Sequence, residues 1–227
     1  EAQEVTGEEA RQKAAELLGV TADRLTPAGV TAGNLPTYRF VMGDVSVEVS
    51  VAGGQIVSMV NGRELQAGDL SSQEALTTAA AFLEAQGYDS MEVVSHEASD
   101  ALVTATFAYV GEDVLFYPDS VTVSVAREGG DIVSFSAREY LMHHTSVRKA
   151  GVARVKTEGA QSLAPDGHTM ESARYAVVSS AGGLENHALE LTTSMGEDRY
   201  LYYVDALGGD ELMLSRLRED EMGRRIN

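Results

Sequence analysis

Gly53-Gly54-Gln55-Ile56-Val57-Ser58-Met59 returns 76 residues on as Gly129-Gly130-Asp131-Ile132-Val133-Ser134-Phe135. A looser copy, Gly208-Gly209-Asp210-Glu211-Leu212-Met213-Leu214, follows after a further 79. Sequence with strand character precedes each copy. Val45, Val47, Val49 and Val51 alternate with Ser46, Glu48 and Ser50; Val121, Val123 and Val125 alternate with Thr122 and Ser124; the third is Tyr200-Leu201-Tyr202-Tyr203-Val204. A period of two puts the valines on one face and the polar residues on the other, as in a half-buried antiparallel strand. A glycine pair supplies the positive φ that a tight reversal needs. Each copy therefore reads as a β-hairpin, and the chain as an internal repeat.

Working outward, a helix precedes each of the first two hairpins. Thr6-Gly7-Glu8-Glu9-Ala10 has the form of a capping box, Ala10, Ala14, Leu17 and Leu18 make one apolar stripe, and Gly19 suits the C-terminal cap. Ser71-Ser72-Gln73-Glu74-Ala75 repeats that start, with Ala75, Leu76, Ala79, Phe82 and Leu83 as its stripe and Gly87 as its end. The second hairpin lies further from its capping box than the first, so the second copy carries an insertion. Before the third hairpin, Val147, Ala150, Val152 and Val155 are scattered among Arg148, Lys149, Arg154 and Lys156, with Gly151 inside; a short or frayed helix is expected there. The predicted fold class is α+β: three tandem repeats, 1–66, 67–145 and 146–227, each a helix packed on a small antiparallel β-sheet, the third with a degenerate helix. Units this small bury little area and are marginal alone, so neighbours are expected to pack together. Linkers are expected near 62–70 and 145–151, and the sign-mixed tail 218–227 is expected to be solvated or disordered.

Composition narrows the function classes. The 227 residues are 44% hydrophobic and 23% charged, ordinary for a globular chain, and the formal charge is −18 from 17 Lys+Arg and 35 Asp+Glu. A surface this acidic repels phosphate backbones and anionic membranes, which argues against nucleic-acid partners. With no cysteine there is no disulfide, thiol nucleophile or Cys-ligated zinc. No apolar run reaches the roughly 18 residues needed to span a bilayer. The first residue is Glu1 rather than Met, so a removed leader or anchor is expected.

The repeat unit resembles a PepSY domain, whose signature is a Glu-Glu-Ala helix followed by a Gly-x-Ile/Val hairpin. A more specific stretch is Tyr117-Pro118-Asp119-Ser120-Val121-Thr122-Val123-Ser124-Val125-Ala126, leading into Gly130–Phe135 and on to Ala137, Tyr140-Leu141-Met142 and His144. This is similar to the C-terminal region of the YpeB spore-germination family, which carries tandem PepSY repeats. The resemblance covers essentially the whole chain, strongest over 116–144 and weakest over 145–160. The third copy departs from the pattern in lacking a Glu-Glu-Ala helix start and in having Gly208-Gly209 where the family more often has Thr-Gly.

What the resemblance implies is a non-enzymatic exported regulator with no cofactor and no metal. Its partner would be a cortex-lytic cell-wall hydrolase of the SleB type, which it would bind, stabilise and restrain until germination. It would lie on the extracytoplasmic side, at the boundary of forespore or spore membrane and cortex, touching the membrane only through an N-terminal anchor upstream of Glu1. Two other readings stand beside it: a PepSY-type protease-inhibitory module, and an enzyme acting on glycans.

A catalytic reading should leave a constellation, and G-x-S-x-G, G-x-G-x-x-G and P-loop motifs are all missing. His96-Glu97-Ala98-Ser99-Asp100 begins like a zincin helix, but lacks the second His and lies in strand-like sequence. His143 and His144 are adjacent, and on a strand would point to opposite faces, so they could not chelate one ion together; a metal or pH-sensing role is the alternative to ordinary hydrogen bonding. With 35 acidic residues, carboxylate pairs occur at any separation and carry no signal for glycan hydrolysis. The partner-binding candidates are Tyr117, Asp119, Tyr140, Arg148 and Lys149. Tyr117 and Tyr140 read either as core packing or as an aromatic interface patch. Asp119, after Pro118, reads as a turn or bulge or as a partner contact. Arg148 and Lys149 belong to the one basic cluster of an acidic chain, either solvated or meeting an acidic partner.

Overall fold

The computed structural model describes residues 2–180 and 182–227 and is α+β. Helix α1 (Gly7–Leu18) precedes strands β1 (Thr26–Thr31), β2 (Thr37–Met42), β3 (Val45–Ser50) and β4 (Ile56–Asn61). Helix α2 (Ser72–Ala85) precedes β5 (Met91–Ala98), β6 (Leu102–Gly111), β7 (Val114–Ala126) and β8 (Ile132–Ser136). A short α3 (Arg138–His143) follows, then β9 (Thr169–Ser179), β10 (Glu185–Met195), β11 (Asp198–Asp205), β12 (Glu211–Asp220) and β13 (Gly223–Ile226). Helix followed by four strands thus occurs twice, and the insertion expected in the second copy is spread over its longer strands.

Both long helices start as the sequence predicts. Thr6 Oγ1 accepts from the Glu9 amide at 3.2 Å while the Glu9 carboxylate accepts from the Thr6 amide at 2.7 Å. Ser71 and Glu74 make the same reciprocal pair at 3.2 and 2.9 Å. These bonds hold both glutamates below the ordinary carboxylate pKa, through the Thr6 backbone and side chain for Glu9 and the Ser71 side chain and backbone for Glu74.

The glycine hairpin is the same local object all three times. The amide of the last residue before the turn donates across it: Ser50 to the Gln55 carbonyl, Ala126 to Asp131 and Asp205 to Asp210, at 2.8–2.9 Å. The strand register then shifts at matching places, Val49↔Ile56 giving way to Glu48↔Ser58, Val125↔Ile132 to Ser124↔Ser134, and Val204↔Glu211 to Tyr203↔Met213. One bulge beside one glycine turn re-aims the outgoing strand. Both glycines have positive φ in the first two copies, but only Gly209 does in the third. There the Asp205 carboxylate accepts from the amides of Leu207 and Gly208 and stabilises the turn instead.

The chain forms two compact units. One holds the described residues of Glu1–Ala79 with Asp100–Thr104 and Val121–His143; the other holds Ala80–Ser99, Ala105–Ser120 and those of His144–Asn227. In the first, β1-β2-β3-β4-β8-β7 run antiparallel in that order, and α1 lies on β2 and β3. Its core includes Ala10, Ala14, Phe40, Val47, Val49, Val57 and Met59. In β1, which pairs only with β2, Pro27 offers no amide and the register breaks between Pro27 and Val30, both of which blunt an open edge.

In the second unit the order is β7-β6-β5-β13-β12-β11-β10-β9, and β9 returns to β7 by a parallel pairing of Val114–Phe116 with Tyr175–Val177. The strands close into a ring, which removes their edges. At the β13–β5 seam, Gly223 has φ +115° and a Cβ there would lie 2.2 Å from the His96 carbonyl oxygen, so only glycine fits.

Three sequence-based expectations are corrected. No α-helix forms over 147–156; the nearest helical piece is a 3-10 turn at Ala160–Leu163. Gly151, three β-branched valines and four positive charges with no acid among them in 147–156 all disfavour a helix there. The tail 218–227 is ordered: β13 pairs with β12 and β5, and Ile226 packs on the core with Leu217 and Tyr203. Finally, His143 ends α3 and His144 follows it, so neither lies on a strand. Segment 62–70, expected as a linker, is irregular and lies within the first unit, and His96 does lie on a strand, β5.

Candidate functional site

The structure brings two of the five singled-out residues together. Asp119, in β7, is 0% exposed. Its carboxylate accepts from Arg148 Nε at 3.0 Å and Nη2 at 2.7 Å, and His144 Nδ1 lies 2.9 Å from its other oxygen. Arg148 also forks onto Glu185, Nη1 and Nη2 each 2.8 Å from a carboxylate oxygen. The guanidinium sits 4.9 Å from the centre of the Phe116 ring, and His144 meets the Tyr109 ring edge-on at 4.6 Å. Glu185 and Asp119 hold the Arg148 proton more firmly than usual, against the opposing effect of burial. A bidentate arginine between two carboxylates over an aromatic ring is a strong, directional clamp.

That clamp latches an irregular strap, residues 144–168, onto the second unit. Along it, the Arg154 and Val155 amides donate to the Ala206 carbonyl, and Tyr175 donates to the Val155 carbonyl. Val155, Ala160, Leu163 and Ala164 cover Leu189, Leu191, Tyr202 and Val204. Ala150 packs with Phe116, Val114 and Val177. The strap takes the place on the sheet where the sequence led us to expect a third helix.

Tyr117 lies elsewhere, within the ring, among Val178, Leu201, Tyr203 and Leu115. It donates to Glu190 at 2.7 Å and accepts from Tyr203 at 3.2 Å. Glu190, 2% exposed, also accepts from Arg174 Nε at 2.8 Å, and Arg174 reaches Glu92 at 2.6 Å. Burial, reinforced by the Glu190 charge, pushes both phenols well above their ordinary range. Burial weakens the Arg174 guanidinium's hold on its proton, but Glu190 and Glu92 outweigh it and the net shift is upward. Both buried carboxylates, Asp119 and Glu190, thus have each oxygen occupied by an internal partner.

Tyr140 is half-buried on α3 in the first unit, and Lys149 is exposed on the strap next to the clamp. Sequence reasoning missed the Asp119–His144–Arg148–Glu185 cluster because its members are 25 to 37 residues apart in hydrogen-bonded pairs, with no shared local pattern. The resemblance had marked Asp119 and His144 without linking them. Among the described residues no group of three or more His, Asp or Glu could hold a metal ion, and no helix is long and apolar enough to cross a membrane.

Comparison with known proteins places this architecture. A solved structure, the Bacillus megaterium YpeB C-terminal domain, superposes with a TM-score of 0.83 at 21% identity, covering 96% of this chain and all of that one, and so shares its fold. A family model described as YpeB sporulation, PepSY1 and PepSY2 domains, matches residues 1–150. The class is therefore a PepSY-domain sporulation protein. Sporulation protein YpeB of Halalkalibacterium halodurans is 24% identical over 227 residues, 97% of this chain and 51% of the relative. That of Bacillus subtilis is 25% identical over 179 residues, 78% of this chain and 40% of the relative. The chain belongs to the YpeB sporulation family. It spans about half the length of the curated relatives it matches.

Proposed function

We propose that this chain is the repeat-bearing part of a non-enzymatic, exported germination regulator that binds, stabilises and restrains a spore cortex-lytic hydrolase of the SleB type until germination. Membership of the YpeB sporulation family carries this reading. The internal occupation of Asp119 and Glu190 supports the non-enzymatic part, since a glycan-cleaving pair needs carboxylate oxygens open to a groove. In this reading the polypeptide is three PepSY-like copies, 1–66, 67–145 and 146–227, the last having exchanged its helix for the Arg148-clamped strap. It works at the spore membrane and cortex boundary.

The test is co-purification from spores, with the complete regulator and the complete hydrolase both present. Recovery of the hydrolase with the regulator, and its loss from dormant spores lacking the regulator, is the expected result. Clean failure to associate, or turnover of purified peptidoglycan by this chain alone, would overturn the proposal.

A further inference from the structure

The ring of the second unit is not closed equally at every seam. β9 and β10 pair over ten residues of each strand. β13 and β5 pair through two, Gly223↔Glu97 and Arg224↔His96, with one further bond from the Ala98 amide to the Met222 carbonyl at 2.9 Å. Beyond Arg224, β13 leaves β5 and stays with β12, as far as Leu217↔Ile226.

A row of charge crosses the strands that lead to this seam. Arg199 of β11 donates from Nη2 to Glu171 of β9 at 2.8 Å and also pairs with Glu219 of β12. Glu219 lies 3.4 Å from Arg224 Nε of β13, and Arg224 stands directly across the seam from His96 of β5. The signs alternate from Glu171 to Arg224, and the row ends on an imidazole. Opposite charges side by side across strands are stabilising, and like charges directly opposite are destabilising.

Alternation along β5 puts His96 on the same face as Val94 and Ala98, both buried. Arg224 faces it from β13, with Glu219 of β12 one strand further. On β5 itself, Glu92 shares the face but is engaged by Arg174 of β9, and Glu97 points to the other face. β6 carries no acidic or basic residue. The group directly opposite a protonated His96 is therefore a cation. Burial, reinforced by the Arg224 charge, holds the His96 imidazole below its ordinary 6.5, against the opposing pull of Glu219.

We propose that the β5–β13 seam is an acid-sensitive gate in the ring, with His96 as its sensor: a proton on His96 sets two positive charges face to face across a seam of two residue pairs, and β13 parts from β5. Parting returns an open edge to strands that ring closure had left without one. The folded chain takes this proton less readily than the unfolded chain. The closed seam is therefore fully stable above 6.5 and weakens as pH falls through that value toward the folded pKa. The inference does not depend on the identity of any partner.

The test is amide exchange by NMR, expressed as protection relative to unstructured-chain rates so that the intrinsic pH dependence of exchange cancels. Between about pH 7.5 and about 5.5, histidines are the side chains that titrate. Over that window the Ala98 amide, which donates across the seam, should lose protection by about threefold or more, while the Asp205 amide, which closes the β11–β12 turn, keeps its own. His96→Gln keeps a polar side chain that cannot take the proton, and should remove the loss. Arg224→Gln removes the opposing charge but not the burial, and should shrink it. Circular dichroism at neutral pH checks that both variants fold; if either does not, the unsubstituted chain still decides. Protection at Ala98 that does not change with pH, or equal losses at Ala98 and Asp205, would overturn the proposal. So would a loss that persists in His96→Gln, which assigns it to His144, His168 or His187 of the same unit. Failure of the hydrolase to co-purify bears on the proposed function and leaves this result standing.

Discussion

In the first hairpin, Val57 and Met59 are buried in a unit whose β2 and β3 carry α1; in the third, Leu212 and Leu214 hold the same positions and face solvent. The two hairpins share a turn, a bulge and a hydrogen-bond closure, so what separates them is their cover. A capped helix is a local device, written in a few adjacent residues. The strap is non-local: it holds because Arg148 finds Asp119 and Glu185 across long stretches of chain. The same turn can therefore stand under different layers, and those layers need not cover the same area.

This contrast can be broken most severely at the clamp. Arg148→Ala takes the guanidinium from the buried Asp119 carboxylate and from Glu185, leaving His144 beside Asp119, and should lower stability by about 3–5 kcal/mol in urea unfolding. The loss should be accompanied by faster amide exchange at Arg154 and Val155, with a smaller change at the α1 amides. Equal loosening of α1 and the strap would mean that the clamp does not act locally.

The hairpin positions themselves sharpen the comparison. Met59→Ala should cost about 2–5 kcal/mol, as truncation of a buried side chain does. Leu214→Ala at the matching site should stay within about 0.5 kcal/mol, as surface changes do. Similar costs at both sites would show that the third hairpin is covered after all.

Smaller effects come from the caps. Thr6→Ala should cost about 1 kcal/mol by removing the acceptor for the Glu9 amide. The pH dependence follows from the same bonds. Glu9 and Glu74 have folded pKa values below their ordinary 4.5, so the stability they contribute is complete above that value and is lost as pH falls through the folded pKa. Helical circular dichroism should therefore weaken in acid below pH 4.5, and Glu9→Gln with Glu74→Gln should flatten that part of the profile.

Much of this was legible in the sequence, and the division follows from range. Thr6 to Glu9, Ser71 to Glu74, the Val45–Val51 alternation and the Gly-Gly reversals are interactions within a few residues, and all formed as read. Ring closure was not legible, because the parallel pairing of Val114–Phe116 with Tyr175–Val177 joins segments about 60 residues apart with no turn between them to announce it. Nor was the order of the tail, whose arginines read as solvated although Gly223 and Ile226 hold it against β5 and the core. At the candidate site, Tyr117 was singled out as an aromatic of core or interface and Asp119 by its place after Pro118, but the partners that satisfy them, Glu190 and Arg148, were linked to them by no local pattern.

The most direct measurement is hydroxyl-radical footprinting of the free chain, with each residue's rate taken relative to the unfolded state. The account expects Val57, Met59, Val133 and Phe135 to be strongly protected, and Leu212 and Leu214, 37% and 45% exposed, to react markedly faster than those four. Protection of Leu212 and Leu214 equal to that of Val57 and Met59 in the monomeric chain would contradict it.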